Sequence, residues 1–264
     1  MINNHLRTPA FSDDGPRRIG LIVPSSNTTM ETEIPSLLAD LRQEHTFHAS
    51  RARLHTVDAE SLAAMVADSD RCARELSDAR VDVLAYACLV AVMASGPGAH
   101  ERIEERLTKI ARDNGCDAPV VSSAGALVRT VQELKLRRVA VVAPYVPALT
   151  EVVVAYLRGY GIEVTDWVTL GVADNCDVGR LDPASLLGHV DQLDLSNADG
   201  IVLSACVQMP SLPAIAPVES RTGLPVITAA TSTAREILTA LDLPMVGTAG
   251  GAALSDDASR CVSK

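Results

Sequence analysis

The chain carries two copies of one plan, and each copy brings an apolar strand-like run to a cysteine. Val81-Asp-Val-Leu-Ala-Tyr-Ala-Cys88 and Ala198-Asp-Gly-Ile-Val-Leu-Ser-Ala-Cys206 both precede a helix-like segment, so Cys88 and Cys206 belong at the carboxyl ends of parallel strands. Open α/β sheets place their chemistry at those ends. Two further matches keep the same order. Arg18-Ile-Gly-Leu-Ile-Val-Pro24 parallels Arg138-Val-Ala-Val-Val-Ala-Pro144 at an offset of 120 residues, and Ala118 to Leu127 parallels Leu224 to Thr233 at an offset of 106. One match among Val- and Ala-rich strands carries little weight, whereas three in a fixed order indicate a duplication.

Between these markers the period switches regularly. Strands are expected at Ile19 to Val23, Phe47 to Leu54, Val83 to Ala87, Val120 to Ser122, Val139 to Ala143, Val164 to Leu170, Gly200 to Ser204 and Val226 to Thr228. Helical periods fall at Met30 to Arg42, Ala59 to Ala79, His100 to Asn114, Ala126 to Leu134, Pro147 to Arg158, Pro183 to Leu193, Leu212 to Thr222 and Thr233 to Leu241. Asp58 is a candidate N-cap and Gly159 a candidate helix stop. Strand–helix alternation implies right-handed crossovers. The expected fold is α/β: two pseudo-symmetric Rossmann-like domains, each a four-stranded parallel sheet flanked by helices, with the active site in the interdomain cleft. The divisions are a flexible leader (1–17), an N-terminal domain (18–135), a C-terminal domain (136–250) and a tail (251–264), with the last helix able to cross back to the first domain.

Composition narrows the function. Aromatic residues make up only 3% of 264 residues, the profile of parallel sheets packed from aliphatic side chains. No apolar stretch approaches the roughly 20 residues of a membrane span. The first residues lack the apolar core of a secretory signal, and six cysteines without a CxxC pair read as reduced thiols, so a cytoplasmic location is expected. A net charge of −10 argues against a nucleic-acid partner. His45, His48 and His55 cluster, but no carboxylate completes a metal set, and Ser95-Gly-Pro-Gly98 lacks the lysine of a phosphate loop.

Four polar segments follow strand ends. Pro24-Ser-Ser-Asn-Thr-Thr29 supplies five short hydroxyl or amide side chains where a helix cap needs one, so Ser25 and Asn27 are candidate ligand contacts beside capping by Thr28 or Thr29. The cysteine turns offer the backbone N–H groups of Leu89, Val90, Val207 and Gln208 as donors for a carboxylate, and a helix dipole there is expected to favour thiolate and lower the thiol pKa. Tyr145 stands where the first repeat has Ser25, and Asn175 lies in the polar loop Asp174-Asn-Cys-Asp177. Cys72 sits in a helical period as a core residue; Cys116, Cys176 and Cys261 have loop or tail settings, with Cys176 the one able to line the cleft.

The segment Arg18 to Pro35, with Tyr86-Ala-Cys-Leu-Val-Ala91 and Ser204-Ala-Cys-Val-Gln-Met-Pro210, closely resembles the maleate cis-trans isomerases of the aspartate/glutamate racemase superfamily. The resemblance covers residues 17 to 250. It implies an enzyme that turns maleate into fumarate without a cofactor or a metal, acting on a small dicarboxylate as a homodimer. Carried onto this chain, it makes Cys88 the nucleophile and Cys206 the proton donor and acceptor, and it gives Asn27, Tyr145 and Asn175 to the substrate carboxylates. Thiolate addition at Cys88 makes the double bond temporarily single, protonation by Cys206 leaves a bond that rotates, and elimination releases the trans diacid. That scheme starts with Cys88 as thiolate and Cys206 as thiol, and an exposed thiolate would be oxidation-prone. Two other readings share the frame: an aspartate or glutamate racemase, which needs a carboxylate for the substrate ammonium (Asp174 or Asp177), and a non-catalytic dicarboxylate-binding protein.

Overall fold

The computed structural model describes residues 15–54 and 56–255. Eight strands appear among them: β1 (Arg17–Pro24), β2 (His45–Ala52), β3 (Val83–Tyr86), β4 (Val120–Ser122), β5 (Arg138–Ala143), β6 (Glu163–Thr169), β7 (Gly200–Ser204) and β8 (Val226–Thr228). They form two four-stranded sheets in the orders β2-β1-β3-β4 and β6-β5-β7-β8. Every pairing is parallel. The sequence-based strands all fall within two residues of these bounds, because each is a short buried apolar run that alternation with helices leaves no other place.

The helices are α1 (Met30–Leu38), α2 (Ala59–Asp78), α3 (Leu89–Met93), α4 (Ala99–Asp113), α5 (Ser123–Glu133), α6 (Pro147–Gly159), α7 (Asn175–Val178), α8 (Leu186–Val190), α9 (Leu212–Thr222) and α10 (Ala229–Ala240). Ser122 and Thr228, which correspond in the repeat, end their strands and cap the helices that follow, accepting from Gly125 N and Thr231 N. Those caps start α5 and α10 three to four residues before the expected positions. Asp58 caps α2 by accepting from Ser61 N at 2.9 Å, as expected. Gly159 is not the stop. It is the last residue of α6, and the chain turns at Gly161 (φ 77°), whose N–H and that of Ile162 bond back to Arg158 and Leu157 carbonyls. Helix α1 ends at Leu38 rather than Arg42; Leu41 still reaches the core, from the turn that leads into β2. The expected Pro183 to Leu193 helix is a 3-10 turn (Pro183–Ser185) followed by the short α8.

The halves meet through their closing helices. α10 packs on α5 and α1 and against β3 and β4, so the end of the second half covers the first, as the sequence allowed. Lys135 (φ 57°) sits in the turn between α5 and β5. Two boundaries shift. Arg17 already belongs to β1, and the segment Thr248–Leu254 forms a 3-10 turn with Ala253 and Leu254 buried against α9, α10 and β8, so packed structure continues past 250. Residues 1–14 of the expected leader and 256–264 of the expected tail, Cys261 among them, lie outside the described residues, as does His55. No described helix is long and apolar enough to cross a membrane.

Candidate active site

Both sheets change direction at the same relative point. In the order 2-1-3-4 the crevice lies past the ends of β1 and β3, and in the second sheet past β5 and β7. Pro24 ends β1, Cys88, Tyr145 and Cys206 follow the ends of β3, β5 and β7, and all four line one narrow cavity. Leu54 and Val57 after β2, Asn175 at the start of α7, and Leu89, Val90, Val207 and Gln208 complete the wall. The two halves close over it: Thr56 and Asp174 make an antiparallel bridge between the loops that carry Val57 and Asn175.

The thiols share a cavity but not an environment. Cys88 occupies the N-cap of α3, makes no side-chain capping hydrogen bond and is 3% exposed. Burial pushes its pKa up to about 12, against the nearby Ala91 N–H, with the neighbouring Cys206 adding to the rise. This reverses the expected lowering. A five-residue helix offers little dipole, and desolvation of a thiolate exceeds it. Nor is Cys88 exposed to oxidants, as the sequence reading had it.

Cys206 is 4% exposed and is also raised by burial, yet the Tyr145 hydroxyl and the N–H groups of Gln208 and Met209 all lower it. Gln208 N donates to Cys206 Sγ at 3.4 Å, so this amide is not a free substrate donor. No helix starts at Cys206. Pro210 lacks an N–H and biases Met209 away from helical geometry, while Ser204 Oγ donates to the Cys206 carbonyl at 2.8 Å and shapes an irregular turn. The Tyr145 hydroxyl itself stays protonated, because burial and then the adjacent Cys206 push its pKa well above the usual phenol value.

The remaining candidates divide between wall and frame. Tyr145 and Asn175 line the cavity, and Asn175 Nδ2 donates to Ser26 Oγ at 2.7 Å. Asn27 is fully buried but is not part of the wall. Its Oδ1 accepts from Thr29 N and Met30 N, making it the side chain that caps α1, and its Nδ2 donates to the Val207 carbonyl at 3.1 Å. The capping expected of Thr28 or Thr29 therefore falls to Asn27, and a single Nδ2 hydrogen remains for a ligand. Ser25 is also frame: its hydroxyl exchanges hydrogen bonds with the backbone of Leu54 (3.0 and 3.3 Å) and so fixes a wall residue.

Gln208 was anticipated only through its backbone, yet its side chain spans the cleft. Oε1 accepts from Thr28 N (2.9 Å), and Nε2 donates to the carbonyls of Ser26 and Asn175 (both 3.0 Å). Cys176 is exposed and does not line the cavity; Cys72 and Cys116 are buried elsewhere. Asp174 caps α7 and Asp177 pairs with Arg180, so neither carboxylate faces the cavity. Among the described residues no cluster of three or more His, Cys, Asp or Glu could hold a metal.

A duplicated parallel α/β frame that sets two cysteines, one from each half, into one cavity defines a two-cysteine isomerase. The arylmalonate decarboxylase family profile matches residues 19–253. A maleate isomerase of Pseudomonas putida is 56% identical over 242 residues, covering 90% of this chain and 97% of that protein. A variant of the maleate isomerase Iso from another Pseudomonas putida strain, solved with maleate, superposes with a TM-score of 0.90 at 51% identity, covering 91% of this chain and 98% of that one. A Cys-to-Ser mutant of the Nocardia farcinica maleate cis-trans isomerase, carrying a covalently bound succinylcysteine intermediate, gives a TM-score of 0.90 at 48% identity, covering 92% and 100%. The chain belongs to the maleate isomerases, within the arylmalonate decarboxylase family.

Proposed function

We propose that this enzyme isomerises maleate to fumarate by reversible addition of the Cys88 sulfur across the double bond. The observation that carries the reading is the pairing of Cys88 and Cys206 across one closed, mostly apolar cavity, each at a switch-point strand end of its own half. The succinylcysteine held by the Nocardia farcinica relative supports the covalent step, and the maleate held by the Pseudomonas putida relative supports the substrate.

The chemistry needs one proton shared by two thiols. The Tyr145 hydroxyl and the N–H groups of Gln208 and Met209 lower the Cys206 thiol against burial, whereas Cys88 has the Ala91 N–H alone, so negative charge is better accommodated on Cys206. Burial raises both thiols above the ordinary cysteine value, so both rest protonated near neutral pH, and the reactive form is the one in which the pair has lost one proton and the charge lies on Cys206. As the Cys88 sulfur forms its bond to one olefinic carbon, its proton passes to Cys206, and the carbon–carbon π pair moves toward the neighbouring carboxylate. Cys206 then protonates the other olefinic carbon, the one that bears that carboxylate, leaving a succinyl thioether with a single central bond. After rotation Cys206 removes a proton, the π bond re-forms in the trans geometry, and the Cys88 sulfur leaves and is reprotonated.

Binding falls to Tyr145, Asn175 and the open N–H groups of Leu89, Val90 and Val207, which together cradle the two carboxylates and the charge that develops on one of them. No Asp or Glu lines the cavity to pair with an ammonium group, which favours a diacid over an amino acid as substrate. Proton NMR of the reduced enzyme with maleate and no added cofactor tests this reading. The maleate olefinic singlet should give way to that of fumarate; an unchanged maleate signal alongside α-proton exchange of aspartate or glutamate in deuterated water would replace it with a racemase.

A further inference from the structure

The turn that carries Cys206 is held by an acidic side chain from the other half. Glu33 lies in the first turn of α1, where its sequence position suggests only a partner for its own helix dipole. Instead its Oε1 accepts from Ser211 N at 2.7 Å and Leu212 N at 3.1 Å, and Oε2 accepts from Ser211 Oγ at 3.5 Å. Ser211 is the N-cap of α9 but makes no capping bond with its own side chain, so the start of this 11-residue helix is capped from across the cleft. Glu33 is 7% exposed and no cation among the described residues is paired with it; burial raises its carboxyl, against the N–H groups of Ser211 and Leu212 that stabilise its charge.

The partner half has nothing like it. The residue related to Glu33 by the 120-residue offset is Val153, a fully buried side chain on α6, and α6 packs on α3 beside Cys88. One thiol turn thus rests on an apolar helix face, and the other on a carboxylate.

We propose that Glu33 is a positioning residue for Cys206: it fixes the 206–211 turn from the opposite half, and its negative charge keeps the Cys206 sulfur basic enough to take and return the reacting proton. The proposal rests on the two-thiol reading given above. Gln208 N donates to the Cys206 sulfur at 3.4 Å, the Tyr145 hydroxyl and the Cys88 thiol share its cavity, and Glu33 holds the same turn at Ser211. Burial is the largest influence raising the Cys206 pKa, the Tyr145 hydroxyl and the N–H groups of Gln208 and Met209 lower it, and Glu33 adds to the rise. A proton shuttle works best when its affinity for the proton lies between those of the groups it serves, so the opposing charge has a use.

The test reads Cys206 directly. In the Cys88→Ala background, pH-dependent alkylation of the Cys206 peptide, followed by mass spectrometry, gives the thiol's midpoint without any substrate. Glu33→Gln should lower that midpoint by about one pH unit and leave those of Cys72 and Cys116 in place, whereas Glu33→Asp, which keeps the charge, should hold the parent value. With Cys88 restored, Glu33→Gln should lower kcat about tenfold with KM within about twofold. An unmoved Cys206 midpoint in Glu33→Gln, or an equal fall in Glu33→Asp, overturns the proposal. Because the titration involves no maleate, a shifted midpoint in an enzyme that leaves maleate unchanged would count against the reaction assigned above and not against Glu33.

Discussion

The turn after β3 and the turn after β7 occupy corresponding places in a duplicated frame, yet they present their cysteines differently. Cys88 opens a five-residue helix of apolar side chains and makes no capping bond. Cys206 sits in an irregular turn where Gln208 N donates to the sulfur and the Tyr145 hydroxyl and Met209 N–H also lower its pKa against burial. The first half grips that second turn along its whole length: Asn27 holds the Val207 carbonyl, Thr28 and Thr29 hold Gln208, and Glu33 holds Ser211 and Leu212. Duplication supplies two thiols facing one cavity, and the side chains that broke the symmetry divide the work between them. A poorly solvated sulfur suits a nucleophile that must also leave; a well-solvated one suits a group that carries charge while it shuttles a proton.

The sharpest way to break this comparison is to remove each thiol separately. Cys88→Ala and Cys206→Ala should each cost roughly 10³-fold or more in turnover, and near-parent activity in either would mean that the two are not partners. Tyr145→Phe addresses the asymmetry itself. Losing one hydrogen bond to a charged group is worth about 2 kcal/mol, so kcat/KM should fall by roughly 30-fold, the single hydroxyl proton serving the Cys206 sulfur or a substrate carboxylate. An unchanged kcat/KM would show that Cys206 does not rely on that hydroxyl.

A smaller effect separates scaffold from chemistry. Gln208→Leu strands Thr28 N and the Ser26 and Asn175 carbonyls in a buried cleft, and denaturant unfolding should show a loss of about 3 kcal/mol. Stability equal to the parent would mean that the halves are not clamped through this side chain. Cys72→Ala is the mildest change: the thiol is buried on α2, away from the cavity, so a loss of about 1 kcal/mol in stability is expected with turnover intact. A large loss of turnover there would undo the assignment of function to Cys88 and Cys206 alone.

Much of this comparison is readable from the chain. Short aliphatic runs such as Val139 to Ala143 leave little choice but a buried parallel strand, and the order of the repeats fixes which strand ends face each other. Polar side chains were harder to read, because capping and ligand binding ask for the same residue types. Asn27 looked like a ligand contact among five short polar residues, and it is the cap of α1. The difference between the thiol turns had a local signal in Pro210, which follows Cys206 closely and has no counterpart after Cys88. Glu33 and Gln208 gave no such signal. Their partners lie about 180 residues away in sequence, and an acidic residue in a first helical turn already has an ordinary local explanation. The direction of the Cys88 pKa was misread for a related reason: helix position is visible in sequence, whereas the completeness of burial that outweighs it belongs to the closed tertiary structure.

The division of labour is tested most directly by trapping the covalent step. The Cys206→Ser enzyme should be incubated with maleate over a range of pH and its cysteine peptides mapped by mass spectrometry. The prediction is one bound diacid on Cys88, none on Cys72, Cys116 or Cys176, and a rate of labelling that climbs about tenfold per pH unit from neutral upward, because a lone Cys88 with its pKa pushed up to about 12 must ionise without help. Labelling of another cysteine, or an unlabelled Cys88 under conditions where the parent enzyme turns over, would contradict nucleophilic addition by Cys88.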